Sequence, residues 1–288
     1  MEIGIGLPTT IARVAGATVL EWARRADSAG FSTLGTIDRV VYGNYDSVPA
    51  LAAAAAVTSR IRLTTAILIS PYRGNGALLA KQLASVDQLS DGRLVVGIAV
   101  GNRDDDFTAT GSDFAGRGAA QDALLAEMRA VWAGEPRGTA GAIGPAPVQP
   151  GGPPLLIGGT GAAAIRRTAA LGAGWIAGGG GPAMFADAAG RIRDAWTAAG
   201  REGAPRLVSL GYYALGPDAD DAARGYLSDY YAFAGPYAEQ IAQSALTDAD
   251  AVRRAVDEFA EAGCDELILF PCSADPDQVD RLAEVALR

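Results

Sequence analysis

Apolar residues fall along this chain in two alternating rhythms. Short runs, apolar throughout or at every second position, occur at 2–7, 32–37, 61–69, 94–100, 154–157, 173–177, 206–215 and 266–270. Between most of them lie longer stretches in which apolar residues recur every three or four positions. These are 19–29, 48–58, 77–89, 117–132, 162–171, 182–199, 248–262 and 275–287. The first rhythm predicts strands and the second amphipathic helices. Punctuation agrees: Pro8 ends the first strand, and Gly30 and Gly263 follow helices.

The stretch 83–102 shows the repeating unit whole. Leu83, Val86 and Leu89 share one helical face, Asp91-Gly92 makes a turn, and the apolar run 94–100 ends on Gly101-Asn102, where bare backbone can approach a ligand. Eight strands alternating with helices predict a (β/α)8 TIM barrel occupying residues 1–288 as a single domain. A doubly wound open sheet, which carries fewer strands, is the alternative.

Three segments break the rhythm. Residues 102–114, with Asp104, Asp105 and Asp106 in a row, read as a solvated loop. Residues 134–154 are rich in Gly and Pro and read as a loop covering something. Tyr226, Tyr230, Tyr231, Phe233 and Tyr237 mark a helical region whose rings either pack as core or line an apolar pocket with Tyr42, Tyr45 and Tyr72.

Composition narrows the chemistry more than the fold. At 49% hydrophobic and 20% charged residues the chain is ordinary for a globular protein. No apolar run reaches the ~18 residues of a membrane span. The acidic start runs straight into a strand, so no signal peptide is expected and the cytoplasm is the default location. A net charge of −9 argues against a nucleic-acid partner. Cys264 and Cys272 flank the last strand and are expected to be buried free thiols.

The chain contains no histidine. That removes Ser-His-Asp triads, Cys-His pairs, H-E-x-x-H metal sites and His general bases, and makes a structural zinc site hard to assemble. Any chemistry falls to Asp, Glu, Arg, Lys, Tyr, Ser or a bound cofactor.

Active sites of such barrels lie at the C-terminal ends of the strands. Here those ends are Leu7-Pro8, Asp38-Arg39, Thr65-Ala66, Gly101-Asn102, Gly158-Gly159-Thr160-Gly161, Gly178-Gly179-Gly180-Gly181 and the region after Leu215. Two of them are glycine-rich turns, each between a strand and a helix, after strands five and six. Free N–H groups at a helix N-terminus suit a phosphate. Both turns can equally serve as tight turns alone. Asp38 and Arg39 are the candidate catalytic pair, either orienting a ligand and acting as acid, or closing a salt bridge on the barrel rim. Trp175 is expected to be core.

The run 82–93 followed by Gly97-Ile98-Ala99-Val100-Gly101 resembles the signature of the bacterial luciferase-like superfamily. Residues 54–63, 153–159 with 166–175, and 262–267 resemble three further motifs of that family in order, so the likeness runs nearly end to end. The resemblance implies a usually dimeric (β/α)8 barrel that binds reduced FMN or the deazaflavin F420. It implies the cofactor ring over Thr65-Ala66, where many members carry a non-prolyl cis peptide, and Asn102 against the ring or ribityl chain. The phosphate would rest on Gly159, Thr160 and Gly161 and on Gly178, Gly179 and Gly180, with Leu7, Gly101 and Gly158 completing the contacts.

Departures from the pattern bear on the reaction. Arg39 stands where members often carry a His, Arg73-Gly74-Asn75 lacks a proline, and Gly172-Ala173-Gly174-Trp175 lacks an Asp. Hydride transfer from a cofactor asks least of the protein. The resemblance therefore points first to an F420H2-dependent reductase of a small organic or natural-product substrate, working as a homodimer and supplied with electrons by an F420 or flavin reductase. An FMNH2-dependent monooxygenase using O2 is the alternative, and a non-catalytic subunit of the same family is a third.

Overall fold

The computed structural model describes residues 1–287. Eight parallel strands close into a barrel in chain order: β1 (Glu2–Gly6), β2 (Thr33–Thr36), β3 (Arg62–Ile69), β4 (Leu94–Ala99), β5 (Leu155–Gly158), β6 (Gly174–Ile176), β7 (Arg206–Tyr213) and β8 (Glu266–Pro271), which returns to β1. The helices are α1 (Gly16–Ala29), α2 (Ser47–Ala55), α3 (Gly76–Leu89), α4 (Asp104–Thr110), α5 (Arg117–Trp132), α6 (Ala162–Leu171), α7 (Pro182–Ala198), α8 (Ala219–Tyr230), α9 (Tyr237–Gln243), α10 (Ala249–Glu261) and α11 (Asp277–Ala286). The fold is thus the (β/α)8 barrel expected, and the open sheet is excluded. Among the described residues no helix is long and apolar enough to cross a membrane.

Two separate apolar clusters explain why the strands read as they do. The larger lies between strands and helices and contains Ile3, Ile5, Leu34, Leu63, Val96, Ile98, Ile157, Leu267 and Leu269. The smaller fills the barrel and contains Ala66, Leu156, Ile176, Val208, Ile268 and Phe270. Strand residues alternate between the two faces, so β1 reads Ile-Gly-Ile-Gly because its glycines face inward. A Cβ on Gly6 would sit 2.1 Å from Phe270 Cδ1, and one on Gly35 2.9 Å from Phe270 Cζ. Bulk therefore comes from one side of the barrel, and Phe270 occupies the space that β1 and β2 leave empty.

The N-terminal end of the barrel is plugged by charge. Glu2, Arg62, Arg206 and Glu266, from β1, β3, β7 and β8, form a ring of ion pairs, with Ser32 donating to Glu266. The Asp91-Gly92 turn lies at this end, with φ of 55° and 74°. Arg93 then gives its N–H groups to the carbonyls of Ser90, Ile61, Ala55 and Thr58, tying the end of α2 to the start of β3. Asp87 is fully buried and accepts from Val148 N, Gln149 N and Gln149 Nε2. It pins the Gly/Pro-rich segment 134–154 across α3, so that loop covers the barrel's lower flank.

One expectation is overturned. Residues 104–110 are helix α4, not a solvated loop. Its first turn is acidic, which the helix dipole favours, and Asp106 is buried. Both cysteines are buried and free, as expected.

Gly6→Ala is expected to cost about 1–3 kcal/mol of stability by forcing Phe270 from its place. In urea unfolding, Phe270→Leu introduced into that variant should recover part of the loss. Burial would raise the Glu2 carboxyl, but hydrogen bonds from Arg62 and Arg206 outweigh it and hold the group below its ordinary value of 4.5. Glu2 thus adds stability above its ordinary value that disappears as pH falls through its lowered folded value. Because the group is half-exposed, the contribution is about 1 kcal/mol or less. The melting-temperature gap between wild type and Glu2→Gln should hold at neutral pH and close on acidification.

Candidate active site

The C-terminal mouth of the barrel assembles from β3 outward. Pairing of β3 with β4 shifts register between Thr65 and Leu68. There the Ala66–Ile67 peptide bond is cis, one bond further along than the Thr65-Ala66 position expected. Ala66 is buried in the barrel interior. Thr65 is also buried, and its hydroxyl donates to Gly97 O at 2.8 Å.

Ile67 joins this strand end to the glycine turns. A Cβ on Gly158 would lie 3.0 Å from Ile67 Cδ1, and one on Gly178 3.7 Å from it. The two turns sit on neighbouring strands, β5 and β6. Gly161 caps α6 and Gly181 caps α7, and neither helix start has a side-chain cap. The first N–H groups of α6, and those of α7 that follow Pro182, which has none, are therefore free for a ligand. A Cβ on Gly161, Gly179 or Gly181 would meet nothing within 4 Å, so the space above the turns is open. Gly159, Gly179 and Gly180 have φ of 106°, 126° and 100°, a region that excludes most side chains. Trp175, read from sequence as core only, also donates its indole N–H to Gly159 O at 2.8 Å. Arg191 holds Thr160 O at 3.1 Å. The carbonyls of the 158–161 turn are thus held by side chains while its N–H groups stay uncapped.

Gly101 (φ 76°) lies over β3, where a Cβ would be 2.6 Å from Ile69 Cγ2, and Arg117 holds its carbonyl at 3.2 Å. Asn102 is exposed beside it. Leu7 directly follows β1, but its side chain belongs to the core between strands and helices. Only its backbone is left to meet a ligand.

Asp38 and Arg39 do not pair with each other. Asp38 receives Arg73 Nη2 at 2.5 Å, with Tyr72 OH and Ile69 N each at 2.9 Å. Burial pushes its carboxyl above the ordinary range, against the pull of Arg73 and the two neutral donors. Arg39 lies 2.8 Å from Asp105 Oδ2 and 3.0 Å from Asp106 Oδ2. Asp106 also accepts from Val40 N and Val41 N at 3.0 and 2.7 Å. Each residue of the candidate pair is thus the centre of its own buried ion-pair cluster.

Aromatic rings roof the opposite side of the mouth. Tyr212 OH and Tyr231 OH are 2.8 Å apart, and Thr10 Oγ1 and Tyr226 OH 2.6 Å apart. Tyr42 meets Tyr230 edge-on with centroids at 5.0 Å, and its hydroxyl donates to Asp229 at 2.6 Å. Tyr226 and Tyr230 are buried, whereas Phe233 and Tyr237 are exposed. The 226–237 region is therefore part core and part rim. Burial raises the phenols of Tyr212, Tyr226, Tyr230 and Tyr231, so they stay neutral hydrogen-bonding groups. Burial also pushes the Cys272 thiol up to about 12. This mouth is built to bind and orient. Two clefts, of about 240 Å³ beside α8 and α9 and about 210 Å³ near Trp132 and Arg201, include none of the glycine-turn residues.

The closed barrel thus pairs, at its mouth, two glycine turns without side-chain caps with a set of packed tyrosine rings. Residues 1–286 match the family described as luciferase-like monooxygenase, and the protein belongs to that family. An uncharacterized protein of Mycobacterium tuberculosis is 36% identical over 171 residues, which cover 56% of this chain and 59% of that one. The chain thus spans less than two thirds of the curated relative it matches. Among solved structures, monooxygenase RslO1 from Streptomyces bottropensis superposes with a TM-score of 0.81 at 25% identity, covering 100% of this chain and 99% of the other. An F420-dependent secondary alcohol dehydrogenase shares the fold with the same TM-score at 20% identity and the same coverage.

Sequence reading missed the partners of Asp38 and Arg39, namely Tyr72, Arg73, Asp105 and Asp106. A buried acid in an acidic triplet carries no periodic signal, but the triplet's position just after a strand end was a usable one. Asp106→Ala, which takes from the buried Arg39 one of its two carboxylates and leaves the Val40 and Val41 N–H groups without their acceptor, is expected to cost about 2–3 kcal/mol in urea unfolding.

Proposed function

We propose that the protein is an F420H2-dependent reductase that delivers hydride to a small organic substrate at the barrel mouth. The observation that carries this reading is the open cradle at 158–161 and 178–181. Its N–H groups are uncapped, a Cβ on Gly161 or Gly179 would occupy the free space, and Trp175 and Arg191 fix the carbonyls on the far side. A phosphate fits that chemistry. When bound, the reduced deazaflavin supplies the hydride.

This chain's own part is positional. Gly159, Thr160, Gly161, Gly178, Gly179 and Gly180 hold the phosphate, and Ala66, Ile67 and Gly101 give the ring a close backbone surface. Asn102 offers an exposed amide to the ring or side chain. Asp38, held by Arg73 and Tyr72, fixes the ends of β2 and β3 beside the reacting groups, and Arg39 does the same for α4. The aromatic roof excludes water. No imidazole exists to serve as base, which favours a reaction in which the protein binds and orients. A homodimer in the cytoplasm, recharged by an F420 reductase, completes the reading.

A second reading, an FMNH2-dependent monooxygenase using O2, draws on the 25% identity with a monooxygenase over the full chain. The same cradle serves either cofactor, so affinity decides between them.

Fluorescence titration with F420 and with FMN is expected to give a dissociation constant below about 100 μM for F420 and a weaker one for FMN. Tighter FMN binding would favour the second reading, and failure of both would refute the two together. Gly159→Asp, which adds a Cβ at φ 106° and a negative charge, should weaken cofactor binding by about 100-fold or more.

A further inference from the structure

On the side of the mouth formed by the ends of β2, β3 and β4, Arg39, Arg73 and Arg117 are spent. Arg39 is neutralised by Asp105 and Asp106, and Arg73 by Asp38 and Asp46. Arg117 gives Nε to Gly101 O and Nη1 to Phe114 O and packs on the Phe114 ring. Arg103 differs. Among the described residues no carboxylate lies within ion-pair distance of it, although Asp104, Asp105 and Asp106 follow it directly in a chain of net charge −9. Its one hydrogen bond is a long one, from Nη1 to Tyr230 O at 3.3 Å.

The guanidinium is instead held by rings. Its carbon lies 3.7 Å from the Phe233 centroid, 4.6 Å from that of Tyr230 and 5.4 Å from that of Tyr231. Arg103 thus reaches from the end of β4 to the aromatic segment after β7, across the mouth. A guanidinium has five N–H donors, and four of these have no acceptor among the described residues. Stacking on rings leaves the planar edge free, and that edge matches a carboxylate with two parallel hydrogen bonds. Phe233 is half exposed and Tyr231 partly so, giving an apolar wall beside the charge.

We propose that Arg103 is the specificity residue of the substrate site and receives the carboxylate of an aromatic carboxylic acid. The rings of Tyr231 and Phe233 take the acid's apolar body, and the exposed edge of Arg103 takes its charge. This deepens the proposed function, since it assumes that the barrel mouth is the substrate site.

The test uses benzoate, phenylacetate and cinnamate with their neutral amides as probes, titrated into the whole protein by calorimetry. At least one acid should bind about tenfold or more tighter than its amide, because the hydrogen bonds involve a charged group. Arg103→Gln should abolish that preference, and Arg103→Lys should keep part of it. Circular dichroism melting confirms that both variants are folded. F420 and FMN affinities, measured on the same variants, should not change. The proposal is overturned if no acid is preferred, if the preference survives in Arg103→Gln, or if that variant weakens F420 binding alone, which would give Arg103 to the cofactor. Should neither cofactor bind while the preference still depends on Arg103, the carboxylate site stands and the assigned reaction falls.

Discussion

The exchange of volume between glycines and one phenylalanine shapes this barrel. β1 and β2 present Gly6 and Gly35 inward, and Phe270 from β8 fills the space they leave. Packing at interior density admits no compromise at a 2.1 Å approach. Phe270 in turn supports Tyr212, whose ring lies 6.4 Å away at the base of the aromatic roof. The floor of the mouth is therefore set by residues that have no chemistry of their own. With the ring of ion pairs at the opposite end, the barrel interior is layered from charged to apolar to aromatic.

Upon that floor the mouth divides into two halves of different character. One half is backbone: the β3 end at Ala66–Ile67, Gly101 and the two glycine turns, with Ile67 touching both turns. The other half is side chains: Tyr42, Tyr212, Tyr226, Tyr230 and Tyr231, a half-exposed phenylalanine and an arginine lying on them. The two buried ion-pair clusters of Asp38 and Arg39 stand between the halves and fix β2 to β3 and to α4. Such a division suits a site in which one partner is gripped by main chain and the other by rings. In a chain without histidine, that arrangement puts the burden of reaction on what is bound.

Much of the fold was legible because each β/α unit announces itself twice, by period and by punctuation. All eight strands begin and end within two residues of the spans that the apolar rhythm predicts, and the family resemblance agrees with the match over residues 1–286. The glycine turns were legible as turns between strand and helix. What could not be read was partnership. Asp38 finds Arg73 thirty-five residues away and Arg39 finds Asp106, and neither contact leaves a periodic trace. Helix α4 was hidden because three successive aspartates resemble a solvated run, whereas the third is buried beneath Arg39. Arg103 passed unnoticed because the rings that hold it lie across the mouth, more than a hundred residues later in the chain.

On the proposed reading, a phosphate-bearing cofactor sits on the two glycine turns. Hydrogen–deuterium exchange of the protein, with and without saturating F420, tests it most directly. Cofactor seated there should slow exchange at the amides of 159–162, 179–181 and 183, with little change at the Asp91-Gly92 turn on the opposite face. Slowed exchange confined to the cleft beside α8 and α9, or none at either glycine turn, would contradict it.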